Sequence, residues 1–122
     1  MAWRRLLAWL IFVLAAPTAA QAHAIIVESS PAVDATVLGP DVDVVLRFNS
    51  RIDRARSSVN LTEIGVPKGA RPETLALAPT DRPDILKATA AGLAPGAYTL
   101  HWQVLSVDGH ITRGDIPFKV AR

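Results

Sequence analysis

The 122 residues contain no cysteine, and the only methionine is Met1. Without thiols there is no disulfide framework and no thiolate in any metal site. Without an internal methionine there is no thioether site for a soft ion such as Cu(I). Aromatics are few, three Trp, one Tyr and three Phe, which leaves little material for an extended carbohydrate-stacking face once a core is filled. No stripe of Lys and Arg with interleaved aromatics suggests nucleic acid. No apolar run reaches the roughly 20 residues of a membrane-spanning helix.

The longest apolar run lies at the start. Arg4 and Arg5 precede an unbroken stretch from Leu6 to Ala16, Pro17 ends it, and Ala20-Gln21-Ala22 offers small residues at the two positions read before a signal-peptidase cut. That order predicts a cleaved signal peptide over 1–22, a mature chain over 23–122 and an exported protein. Of 13 basic and 11 acidic residues, Arg4 and Arg5 leave with the leader, so the mature chain carries the two signs equally. Its length suits one domain with a real core and not two. The chain is expected to be a monomer.

No segment of the mature chain sustains a helical period, whereas alternating apolar residues recur between turn signals. Predicted strands cover Ala24 to Glu28, Val42 to Phe48, Ser58 to Ile64, Glu73 to Ala78, Ile85 to Thr89, Ala97 to Val107 and Ile111 to Val120. Val42, Val44, Leu46 and Phe48 share one face of the second. Tyr98, Leu100, Trp102 and Val104 share one face of the sixth, opposite Thr99, His101, Gln103 and Leu105. About seven strands with a tryptophan in a central one predict an all-β, immunoglobulin-like Greek-key sandwich or barrel. The piece from Glu73 to Ala78 reads alternatively as a helical turn.

Cleavage after Ala22 would make His23 the first residue. A free N-terminal histidine chelates through its amine and imidazole Nδ1, closing a six-membered ring, and Cu(II) favours such neutral nitrogen donors. Asp108-Gly109-His110 offers two more donors two positions apart, which an extended chain would turn to one face. On spacing alone, Asp108-Gly109 reads more readily as a hairpin turn with an exposed histidine beside it. His101, with Thr99 and Gln103 beside it on its face, is expected to be a surface or hydrogen-bonded histidine and not a ligand. Glu28 is a candidate for orienting the His23 ring, and Arg51, Arg54 and Arg56 form a small basic cluster.

Several runs resemble the CopC copper-resistance family: Ser29-Ser30-Pro31-Ala32, Val45-Leu46-Arg47-Phe48, and the stretch from Leu93 to His110 followed by Gly114 and Phe118. Within that stretch Tyr98, Trp102, Ser106, Asp108, Gly109 and His110 carry the most specific pattern, and the likeness is weakest between Gly65 and Lys87. The resemblance implies an immunoglobulin-like β-barrel with one Cu(II) ion held by His23, Asp108 and His110. It implies copper sequestration in the periplasm, or delivery to a CopD-like inner-membrane transporter, and no enzymatic activity. The methionine-rich Cu(I) loop of some members has no counterpart here. Two other classes stand beside this reading: a copper-dependent oxidative enzyme of the histidine-brace type, and a metal-free structural sandwich.

Overall fold

A computed structural model of the chain describes residues 24–65 and 71–122. The proposed leader and His23 lie outside the described residues. Eight strands are present and no helix among the described residues: β1 Ile26–Ser30, β2 Ala35–Leu38, β3 Val42–Phe48, β4 Ile52–Glu63, β5 Glu73–Thr74, β6 Ile85–Ala90, β7 Gly96–Ser106 and β8 Ile111–Ala121. They form a three-stranded sheet, β1-β3-β6, and a five-stranded sheet, β2-β8-β7-β4-β5. The architecture is the expected all-β sandwich, with no helix among the described residues long and apolar enough to cross a membrane.

Alternation builds the core. Val42, Val44, Leu46 and Phe48 of β3 are all buried, as are Leu86, Ala88 and Ala90 of β6. They face Val59 and Leu61 of β4, Tyr98, Leu100 and Val104 of β7, and Ile116, Phe118 and Val120 of β8. A period-two pattern puts every second side chain on the inner face, so each of these strands contributes one apolar row to the space between sheets.

Two strands differ from expectation at their ends. β1 begins two residues later than predicted, because Ala24 and Ile25 are held by Thr112 and Asn49 outside the ladder. β4 begins at Ile52, six residues before the predicted start; its register with β7 shifts between Asp53 and Ser58, which breaks the alternation there. β2 was not anticipated. It is four residues long and joins the sheet as the parallel neighbour of β8, a pairing with no local signal. The segment after Glu73 is neither a full strand nor a helical turn: β5 ends at Thr74, and Leu77 makes an isolated bridge to Ala88.

Two contacts tie the middle of the sandwich. Trp102 is half-buried and meets Phe48 of the opposite sheet edge-on, with centroids 5.3 Å apart at 69°. Its cross-strand neighbour is Gly114. A Cβ at Gly114 would lie 2.5 Å from the Trp102 ring, so only glycine leaves the indole room. Tyr98 stacks on Phe118 at 5.7 Å, and its hydroxyl donates to the Ala94 carbonyl at 2.6 Å, four residues upstream. This resembles the tyrosine corner of immunoglobulin-like sandwiches. Burial, with the Glu63 carboxylate nearby, pushes the Tyr98 phenol up, so the hydroxyl remains a donor.

Gly114→Ala should destabilise by about 1–3 kcal/mol through overpacking, and Tyr98→Phe by roughly 1 kcal/mol or more through the orphaned Ala94 carbonyl. Thermal melts check both, at roughly 4–8 °C per kcal/mol for a domain near this size. A Gly114→Ala protein that melts with the parent would mean that the indole shifts at no cost.

Candidate metal site

β7 and β8 are joined by the hairpin Val107-Asp108-Gly109-His110. Gly109 takes φ +89°, a left-handed conformation open to glycine, and its N–H donates to the Ser106 carbonyl at 3.0 Å. The Ser106 N–H donates to the His110 carbonyl at 2.9 Å. Asp108 and His110 are brought together by this turn and not by the extended geometry expected from their spacing. The hairpin is present, and it is the hairpin that pairs the two side chains.

The Asp108 carboxylate is held on both oxygens. Oδ1 accepts from the Ser106 hydroxyl and, at 3.2 Å, from the His110 N–H, the second being a side-chain turn typical of aspartate. Oδ2 lies 3.0 Å from His110 Nδ1. These donors, the Ser106 hydroxyl first and then the His110 ring and N–H, hold the carboxyl well below the usual carboxylate range. With Nδ1 facing Asp108, an ion at His110 would be taken by Nε2, as where a carboxylate fixes the tautomer of a metal-ligating histidine. The donor chemistry, imidazole nitrogen with carboxylate oxygen and no sulfur, suits Cu(II).

Ala24, the first described residue, is 1% exposed. Its carbonyl accepts from Thr112 Oγ1 at 2.9 Å, and Thr112 stands two residues past His110. Ile25 is clasped by Asn49, which accepts from the Ile25 N–H at 2.8 Å and donates its own N–H to the Ile25 carbonyl at 2.9 Å. The start of the described chain is therefore fixed beside the hairpin by Thr112 and by the loop that follows β3.

Of the sequence candidates, the structure joins Asp108 to His110. His23 lies outside the described residues, and among the described residues no three His, Cys, Asp or Glu side chains gather as a metal cluster. His101 is elsewhere, on the outer face, with Nδ1 2.7 Å from Asp115 Oδ1 and Nε2 3.1 Å from Thr62 Oγ1, a hydrogen-bonded histidine as expected. The Glu28 carboxylate accepts two bonds from Arg47, at 3.0 and 3.2 Å. In the basic cluster, Arg54 donates to the Leu77 carbonyl at 3.4 Å and Arg56 lies 3.8 Å from Asp53. Sequence reasoning gave no role to Ser106, Thr112 or Asn49. Ser106 belonged to the family-like pattern and stood as a polar residue on the inward parity of the strand; the structure buries it among apolar neighbours.

The CopC domain model matches residues 26–121, a span that takes in every strand and the hairpin. The chain belongs to the CopC family. It is 33% identical over 101 residues to protein YobA of Escherichia coli K12, covering 81% of this chain and 79% of that one. Copper resistance protein C of Xanthomonas campestris pv. juglandis is 32% identical over 109 residues, covering 86% and 85%. Two crystal structures share the fold. CopC from Methylosinus trichosporium OB3b superposes with a TM-score of 0.69 at 30% identity, covering 80% of this chain and 93% of that one. PcoC, a methionine-rich copper resistance protein of Escherichia coli, gives 0.67 at 28%, covering 82% and 100%. The β7–β8 hairpin of this CopC chain lies inside all of the matched family span.

The lowered Asp108 value sets a pH dependence. A carboxyl whose folded-state value lies below the unfolded value, about 3.9, adds stability that is complete above that value and is lost as pH falls through the folded one. In metal-free protein, Asp108→Asn should lower the melting temperature at pH 6, and the gap should narrow steadily from pH 5 to pH 2. A gap independent of pH would show that the charge on Asp108 does not hold the hairpin.

Proposed function

We propose that this chain is an exported Cu(II)-binding protein that sequesters copper or delivers it to a membrane copper transporter, with one ion held by His23, Asp108 and His110. The observation that carries the proposal is the fixing of Ala24 against Thr112, beside a hairpin that already pairs Asp108 with His110. A chain cut after Ala22 would start one residue before Ala24, whose carbonyl Thr112 holds two residues past His110. Its amine and imidazole would add two nitrogens to the nitrogen and oxygen donors of His110 and Asp108.

The chemistry of that set defines the cargo. Nitrogen donors with a carboxylate, and no sulfur, favour Cu(II) over Cu(I). PcoC is described as methionine-rich, whereas this chain has Met1 alone, so a thioether site for Cu(I) has no residues to form it. Binding to the native state alone raises stability by mass action. The role is that of a carrier, not a catalyst. The periplasm and a CopD-like partner follow from the leader and from the family, and the signal peptide over 1–22 is part of the proposal.

Intact mass of the exported protein should give a chain beginning at His23. That protein should take up one Cu(II) per chain with a tetragonal type 2 spectrum, melt at higher temperature when loaded, and release the ion on reduction. His110→Ala should cost more affinity than Asp108→Ala, since it deletes a nitrogen donor, and His101→Ala should leave affinity unchanged. Equal losses at His101 and His110, or Cu(I) held as firmly as Cu(II), would overturn the assignment.

A further inference from the structure

The polar side chain buried most deeply beside the hairpin belongs to a residue that the proposed metal set does not use. Ser106 is the last residue of β7, 2% exposed, and stands among the core's apolar residues as the one buried polar residue described. Its inward parity follows Tyr98, Leu100, Trp102 and Val104, so a valine or alanine would fit the alternation of the strand. A hydroxyl at such a position costs free energy unless it is hydrogen-bonded. It is bonded to the hairpin: Oγ donates to Asp108 Oδ1, and the His110 carbonyl oxygen stands 3.1 Å from the same Oγ.

A serine hydroxyl has one proton. Two acceptors therefore compete for it, and the carboxylate takes it because a charge-assisted bond is the stronger. The arrangement has a second state without penalty. When Asp108 turns an oxygen towards a metal, the hydroxyl can rotate to donate to the His110 carbonyl, and no buried donor is left unsatisfied.

We propose that Ser106 is the positioning residue of the metal hairpin, aiming the Asp108 carboxylate at His110 Nδ1 in the metal-free protein and keeping a hydrogen bond when Asp108 moves. The chain of contacts is short: Ser106 Oγ to Asp108 Oδ1, and Asp108 Oδ2 to His110 Nδ1 at 3.0 Å. Ser106 touches no metal in this scheme. It acts by holding the carboxylate that selects which ring nitrogen of His110 carries the proton, and so which one can face an ion. The Ser106 backbone adds rigidity, since its N–H and carbonyl close the turn on His110 and Gly109. These backbone bonds survive replacement of the side chain, which lets the hydroxyl be tested apart from the fold.

The proposal deepens the copper-site reading and rests on it for its metal-bound part only. The test has two arms on the exported protein, with Ser106→Ala and the hydroxyl-keeping Ser106→Thr compared with the parent and thermal melts run on all three. In the first arm, without metal, nitrogen NMR of the His110 ring at a pH where it is neutral reads the tautomer ratio. Ser106→Ala should move the ratio away from the Nδ1-protonated form, and Ser106→Thr should restore it. In the second arm, Cu(II) titration and electron paramagnetic resonance read affinity and geometry. Ser106→Ala should weaken binding by about tenfold or more, as loss of an outer carboxylate partner does, with an altered spectrum. An unchanged tautomer ratio in folded Ser106→Ala overturns the proposal whatever copper does. An altered ratio without any copper binding in the parent would leave Ser106 as the residue that positions His110 and would sink the copper reading alone. Ser106→Ala that melts lower, with ratio and spectrum both unchanged, would show a merely structural serine.

Discussion

Phe48 packed edge-on against Trp102 is the contact on which the geometry of the candidate site depends, because it packs the two sheets together at residues whose strands lead on to the Asn49 loop and to the hairpin. From Phe48 the chain passes into the loop whose Asn49 clasps Ile25. From Trp102 the chain runs four residues along β7 to Ser106 and the hairpin. The Trp102 ring fits because residue 114 has no side chain. A shift of that ring would move β7 relative to β3, and with it the hairpin relative to the anchored start of the described chain. Core packing and site geometry are thus one problem here, and the close packing of protein interiors makes the relation stiff.

The hairpin itself is held from two sides. From within, Ser106 presents a hydroxyl to Asp108 from a position that the core would otherwise fill with an apolar group. From the neighbouring chain start, Thr112 grips the Ala24 carbonyl. Asp108 is exposed enough to exchange partners yet accepts three hydrogen bonds from residues within two positions of it. The first described residues, Ala24 and Ile25, are held by Thr112 and Asn49 next to this already organised turn.

The parts of the structure that were legible in the sequence are those with local causes. β3 was read to the residue because its alternation runs unbroken between Asp41 and Asn49. The inward row of β7 was equally plain. β2 left no trace, since four residues paired in parallel with a strand some 80 positions later depend on tertiary placement. The start of β4 was hidden by Asp53, Arg54 and Arg56, where the register shift suspends the period-two rule. At the site, the types and spacing of Asp108 and His110 pointed to a donor pair, but the reason for their convergence was misplaced: the positive φ of Gly109 makes the turn, not strand parity. Thr112, Asn49 and the Arg47 partner of Glu28 act across 88, 24 and 19 residues, and no local pattern encodes such distances.

The central claim is that the amine of His23 is a metal donor, which separates this site from any ordinary histidine-carboxylate pair. An amide nitrogen is a far poorer donor than a free amine at neutral pH. The decisive measurement is a Cu(II) titration of two proteins, one beginning at His23 and one carrying a single extra glycine before it, with melts showing that both are folded. The account predicts that the glycine lowers affinity by orders of magnitude and leaves the metal-free melting temperature nearly unchanged, because a terminus contributes few buried contacts. Equal affinities would contradict it, and the ion would then have to be held by side chains alone.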